Sequence, residues 1–324
     1  MAKQEISTKF HFHELEFIPY NHKDHLVSKK ILRNVLEFVR NKKKDDSKLI
    51  SIDRHAEQRN EAPRILFIHS TKFEPQEERI ICSIGLLRKN RLPKMKPKGG
   101  LTLIPLGELN NAEVAEETRF IVDYSGNLPL LCIEFNSFGP KATDIEYYLR
   151  QIARYELRQA KKTNISILMQ KSFDKTLREM KNVLKFNIKF SPKNLKSLDA
   201  DVANQYFSTL KSFGDKMDPS YIKLEASFYN RGRPTSSSEM NFTANDMVST
   251  LMNKFITRPF NIDVFDSFDF VFENGEGLEK TFSLAGDKSQ IEVDIPRESF
   301  DNSRELYKCI KPKLDDFISN RYTS

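Results

Sequence analysis

Apolar and polar residues alternate along the first part of the chain, the signature of strands whose two faces meet different surroundings. The alternation predicts strands over 9–17, 49–52, 64–69, 79–87, 118–122 and 128–135. Between the first two, Leu26, Ile31, Val35, Leu36 and Val39 recur near helical spacing. They predict a helix over 25–43, whose lysine-rich end suits the negative helix terminus. Beyond Pro140 the pattern changes to helices alternating with short strands. Helices are predicted over 144–162, 173–183 and 244–256, with helical stretches reaching 213, and strands over 165–169, 184–190 and 221–228. A polar loop, 230–238, separates the last strand from the last of these helices. The chain then reads as a hairpin turning at or near Asn274-Gly275, strands over 280–284 and 290–295, and a closing helix over 301–319. Strands on either side of a helical middle predict an α+β fold of two domains. Its parts are a sheet-rich region 1–140, a basic α/β region 141–258 and an acidic region 259–324 able to rejoin the first.

Composition supports a sizeable core: 324 residues, 39% hydrophobic and 11% aromatic. No stretch reaches the roughly 18 uninterrupted apolar residues that a membrane-spanning helix needs. The polar start lacks a signal-peptide core, which predicts a cytoplasmic protein. Cys82, Cys132 and Cys309 are odd in number, far apart and mostly in apolar surroundings, so reduced buried thiols are expected.

The net charge of +7 is modest, but its distribution is uneven. Residues 141–198 hold 14 Lys and Arg against 5 Asp and Glu, whereas 260–305 hold 12 acids against 4 bases. Such polarity suits a face held against a polyanion, or contact between basic and acidic regions of neighbouring copies.

Residues 136–162 hold the most informative pattern. A Gly-Pro turn leads into Thr143-x-x-Glu146, a capping-box pattern, with Asp144 and Glu146 at the positive helix end. Ile145, Leu149, Ile152 and Ala153 then form an inward stripe, and Arg150, Arg154 and Arg158 repeat every four residues on another face. That places guanidinium groups about 6 Å apart, near the roughly 7 Å between alternate phosphates of a nucleic-acid strand, with Lys161 and Lys162 extending the row. Arg suits phosphate because its planar fork donates two hydrogen bonds at once. Two further candidates are the loop holding Arg88, Lys89, Arg91, Lys94, Lys96 and Lys98, and the flexible segment carrying Arg231 and Arg233. Each of these patterns also has a plain reading as a solvated charged surface.

Catalytic signatures are sparse. The chain holds no phosphate-binding Gly-rich loop with Lys-Ser/Thr, no Gly-x-Ser-x-Gly, no His-Glu-x-x-His and no Cys-x-x-Cys. Asp123 with Glu134-Phe135-Asn136 imitates the spacing of metal-dependent nucleases, yet Asn136 stands where such sites carry Lys. His11 and His13 share a strand face near Glu14, His22 and His25, a pattern more common on surfaces than at metals. Asp263, Asp266, Asp269 and Glu273 are spaced so that they do not share one strand face. No catalytic residue, metal or cofactor is therefore expected.

The passage formed by the strand, Phe138-Gly139-Pro140, Thr143-Asp144 and Leu149 resembles one in RexA-like phage-exclusion proteins. The order of elements is similar too, from a sheet-rich start through this turn and helix and the basic strand Phe186-Asn-Ile-Lys-Phe190 to a late hairpin and closing helix. The likeness covers 128–320 loosely, and the Arg231-Gly-Arg233 loop lies outside it. The resemblance implies a homodimeric, largely sequence-independent binder of double-stranded DNA in antiviral defence, paired with a separate membrane-protein effector. Two-component systems such as Kiwa have the same division of labour. The alternatives are a metal-dependent nuclease using Asp123 and Glu134, or a protein-interaction subunit that binds no DNA.

Overall fold

The computed structural model describes residues 5–23, 25–46, 48–57, 62–87, 94–95, 104–105, 114–169, 173–228, 241–284, 286–300 and 302–323. The fold is mixed α+β, with a sheet-rich N-terminal region, and two compact units divide the chain: 1–166 with 290–324, and 167–289. The dividing points fall at 166/167 and 289/290, not near 140 and 258, because the helix after Pro140 buries its apolar stripe in the first unit.

In chain order the first unit contains β1 (Glu5–Pro19), α1 (Ser28–Asp46), β2 (Ser51–Asp53), β3 (Ile65–Glu74), β4 (Arg79–Leu87), β5 (Lys94–Met95), β6 (Ile104–Pro105), β7 (Ala115–Asp123), β8 (Leu130–Glu134), α2 (Ala142–Gln151) and β9 (Ala160–Ile167). The second unit holds α3 (Phe173–Glu179), β10 (Met180–Phe190), α4 (Ala200–Tyr206), α5 (Ser208–Met217), β11 (Ile222–Ser227), α6 (Phe242–Thr257), β12 (Phe265–Asn274) and β13 (Glu279–Ser283). The chain returns to the first unit with β14 (Gln290–Pro296) and α7 (Ser303–Thr323). No helix among the described residues is long and apolar enough to cross a membrane.

The large sheet runs β14-β1-β8-β7-β4-β3-β2, with β9 also paired to β1. It is buried on both faces, and β1 shows how. Thr8, Phe10 and Phe12 are buried at even positions, His13, Leu15 and Phe17 at odd ones. Side chains alternate across a strand, so the two sets serve opposite layers. Leu15 and Phe17 join Ile31, Leu32, Val35 and Leu36 of α1 and Ile145, Tyr148 and Leu149 of α2 in one core. Phe12 faces the other way and stacks on Phe317 of α7, ring centroids 3.5 Å apart. β4 is buried at every position from Arg79 to Leu86 for the same reason.

Burial on the α7 side includes charge. Arg79 is 6% exposed and Asp123 3% exposed, and the Arg79 Nε donates to Asp123 at 2.9 Å. Arg79 also donates to the Tyr307 hydroxyl at 3.0 Å and pairs with Asp315 at 2.6 Å, both on α7. Tyr307 in turn donates to Glu77. The C-terminal helix is thereby locked to β4 by a network in which each buried polar group has a partner.

The second unit packs helices on one face of the sheet β11-β10-β12-β13. Its core is unusually aromatic: Phe190, Phe207, Phe255, Phe265, Phe268, Phe270 and Phe282 meet in edge, tilted and stacked contacts, such as Phe255 on Phe268 at 5.3 Å and 89°. Edge-to-face pairs of this kind add roughly 0.5–1.5 kcal/mol beyond area burial. α6 starts at Asn241, whose Oδ1 accepts from the Ala244 amide at 3.1 Å, an N-cap. The helix predicted over 173–183 stops at Glu179, and β10 starts at once because Val183, Phe186 and Ile188 are needed in the sheet core.

Candidate nucleic-acid interface

The start of α2 is held differently from the Thr143-x-x-Glu146 box. Asp144 takes the third helical position, and its carboxylate accepts from the Lys141 amide at 2.9 Å. Arg64 donates to both Asp144 oxygens, at 2.9 and 2.6 Å, and Arg54 adds a bond at 2.5 Å. Thr143 accepts from Arg54 at 3.2 Å. Asp144 is fully buried, and burial alone would raise its pKa, but the hydrogen bonds and charge of Arg64, then the charge of Arg54, outweigh it and hold the carboxyl at about 2. Glu146 does not cap the helix, and instead accepts from the Ile165 amide at 3.0 Å and pins α2 to β9.

The arginine ladder does not form. The α-helix gives way to a π-helical segment, Ile152–Glu156, whose wider turn breaks the four-residue repeat. Arg158 has a left-handed backbone, φ 50°, and the chain reverses there, with the Gln159 amide bonding back to the Ala153 carbonyl at 2.8 Å. The predicted helix over 144–162 therefore ends before Arg158, and Lys161 and Lys162 lie on β9. Arg150 leaves the group as well, since it pairs with Glu146 at 3.5 Å and lies 5.2 Å from the Tyr147 ring centroid.

Four of the cations lie along residues 154–162, on either side of the reversal. Arg154, Arg158, Lys161 and Lys162 are all exposed. Among the described residues none of the four lies within ion-pairing distance of a carboxylate. Neighbouring elements bring more positive charge. Lys161 donates to Asn21 at 3.2 Å, next to the turn that ends in Lys23. Asn34 of α1 donates to Gln159 at 3.0 Å, and exposed Lys30 sits one turn before Asn34. Sequence patterns do not point to Lys23 and Lys30, because they lie more than a hundred residues away and only the β9 pairing unites them with 154–162. Glu156 is an exposed acid between Arg154 and Arg158 in the chain, and exposed Glu16 of β1 is engaged by Asn164 at 3.1 Å.

Arg88, Lys89, Arg91, Lys96, Lys98, Arg231 and Arg233 lie outside the described residues, and Lys94 is described only as backbone of β5.

The two nuclease-like acids are far apart. Asp123 pairs across the ladder with Leu130, and Arg119 stands opposite Glu134 through the same register, so the acids occupy opposite ends of the β7–β8 pair. Four residues of strand separate them, roughly 13 Å. Asp123 is bound to Arg79, and Glu134 accepts from the Arg119 amide at 2.9 Å and its guanidinium at 3.4 Å. Burial outweighs the bonds and charge of Arg119 and raises the Glu134 pKa overall. Among the described residues no group of three or more His, Cys, Asp or Glu is arranged to hold a metal ion. The acidic run in β12 is likewise dispersed: Asp266 sits at a bulge, Asp269 accepts from Ser283 at 2.6 Å, and Glu273 is buried.

No protein-family model matches the chain, and a search of curated proteins finds no match.

Proposed function

We propose that the chain binds double-stranded DNA through its phosphate backbone, without sequence preference and without catalysing a reaction on it. The observation that carries this reading is the set of exposed cations with no carboxylate partner among the described residues at the α2–β9 reversal: Arg154, Arg158, Lys161 and Lys162, flanked by Lys23 and Lys30. A cation already paired gives up that pair to reach a phosphate; these four do not, so each counterion they displace from DNA counts towards affinity. Their reach is to backbone, since charge without a groove-reading helix positions a duplex but does not read it. Through the family resemblance, the role is that of a cytoplasmic sensor in antiviral defence by phage exclusion, signalling to a separate membrane-protein effector.

Fluorescence anisotropy with two unrelated duplexes of equal length tests the reading. Comparable affinities that fall steeply with salt are expected. Absence of binding at low salt, or an affinity ratio above about tenfold between the duplexes, overturns it. Incubation with supercoiled plasmid and magnesium or manganese is expected to leave the plasmid intact, and nicking lost on Glu134→Ala would reinstate the nuclease alternative.

A further inference from the structure

The second unit ends in an open sheet edge. Among the described residues β11 pairs with β10 alone, over six unbroken residue pairs from Lys185↔Ser227 to Phe190↔Ile222. The Phe228 amide donates to the Leu184 carbonyl at 2.8 Å, which sets the alternation. Amides and carbonyls of the even positions Leu224 and Ala226 point to β10, and those of Lys223, Glu225 and Ser227 point away from the sheet. Proteins usually guard such an edge with proline, a bulge or like charges. β11 contains no proline, its pairing with β10 has no register shift, and its two charges cancel. Side chains of Lys223 and Glu225 are 50% and 44% exposed and lie 3.2 Å apart. Ile222, Leu224 and Ala226 are half-buried, each leaving apolar surface at the rim of the core.

We propose that this edge is the interface with a second copy of the chain, two β11 strands running antiparallel with Leu224 opposite the partner's Leu224. Antiparallel exchange of hydrogen bonds requires outward-pointing positions to face each other, which leaves three central registers. Centred on Lys223 the pairing opposes lysine to lysine, and centred on Glu225 it opposes glutamate to glutamate. Centred on Leu224 it sets Lys223 against the partner's Glu225 twice, and Ile222 against the partner's Ala226 twice. Charge therefore selects one register, and opposite charges across a ladder are stabilising where like charges are not. The edge strand β14, whose Glu292 carbonyl accepts from Lys313, fails the same test, since pairing about Val293 sets Glu292 against Asp294. A closed, two-fold, isologous contact of this kind joins two four-stranded sheets into one. The interface is independent of the DNA reading, because it uses no residue of the α2–β9 reversal.

Charge swaps on the full chain test it, with mass measured by sedimentation velocity across a concentration series. The unaltered protein is expected to dimerise. Lys223→Glu and Glu225→Lys, each alone, create two like-charge oppositions and are expected to raise the dissociation constant at least about tenfold. Mixed in equal amounts, with one variant 15N-labelled for native mass spectrometry, they are expected to form a heterodimer, because every opposition is again lysine to glutamate. A monomeric unaltered protein, single variants that dimerise as well as it does, or a mixture no more associated than its parts would each overturn the proposal. Recovery in the mixture also shows that the single variants are folded.

Discussion

Replacing Asp144 by Asn tests whether the buried carboxylate, and not the capping pattern around it, anchors α2. The amide oxygen can accept one bond but its nitrogen cannot accept from Arg64, so the two-pronged contact at 2.9 and 2.6 Å is lost. Breaking a fully buried ion pair costs roughly 3–5 kcal/mol, and here the arginines can recover water, being 31% and 29% exposed, so about 2–3 kcal/mol is expected. The pH dependence gives an independent measure. The folded pKa of about 2 lies below the ordinary value of 3.8, so the native state holds the ionised form more tightly than the unfolded chain does. The corresponding stability, roughly 2 kcal/mol, is complete above the ordinary value and is lost as pH falls from about 4 to about 2. The gap between the native protein and Asp144→Asn should thus narrow by about 1 kcal/mol between pH 7 and pH 3. The chain has no tryptophan, and its two units need not unfold together, so hydrogen exchange in peptides covering 142–157 under increasing urea is the suitable assay. A gap that stays constant with pH, or a variant within about 0.5 kcal/mol of the native protein at pH 7, would refute the reasoning.

Arg79→Met strands Asp123, which is 3% exposed, and is expected to cost about 3–5 kcal/mol. Tyr307→Phe removes one link of the same network and costs about 1 kcal/mol, with calorimetric melting temperatures giving that order. Gly139→Ala would place a methyl group 2.5 Å from the Thr118 hydroxyl and 2.6 Å from the Asn136 amide, displacing their bonds to the Pro140 and Glu117 carbonyls. A loss of about 1–3 kcal/mol in chemical denaturation is expected, and a neutral effect would show that the 136–140 turn yields easily.

The strands and the α1 helix are legible in the sequence because each buries one regular face, and periodicity records burial. The end of α2 is not. Helices commonly stop at a glycine in the left-handed region, but here Arg158 occupies that conformation, and Arg, Gln, Ala and Lys all read as good helix formers. The apparent ladder of Arg150, Arg154 and Arg158 therefore runs on through a turn that sequence does not mark. The pattern of residues places Asp144 at the helix start, whereas its main role is set by Arg54 and Arg64, some eighty to ninety residues earlier. Long-range pairing of this kind leaves no periodic trace. The same limit explains the nuclease-like acids: Asp123 and Glu134 are close in sequence, yet an antiparallel hairpin carries them to opposite ends. The basic stretch 141–198 is divided between the two units at residue 166.

The central claim is that the exposed cations at the α2–β9 reversal, which have no carboxylate partner among the described residues, engage DNA phosphates, and the salt dependence of binding tests it most directly. Affinity for one duplex should be measured over a range of salt for the native protein and for the variant with Arg154, Arg158, Lys161 and Lys162 all changed to Ala. If all four contact phosphate, the slope of log affinity against log salt should become shallower by about 3–4, at roughly 0.9 per contact. An Arg150→Ala control should change it little, because that side chain is held by Glu146. A fourfold variant that keeps both the native affinity and the native slope would contradict the account.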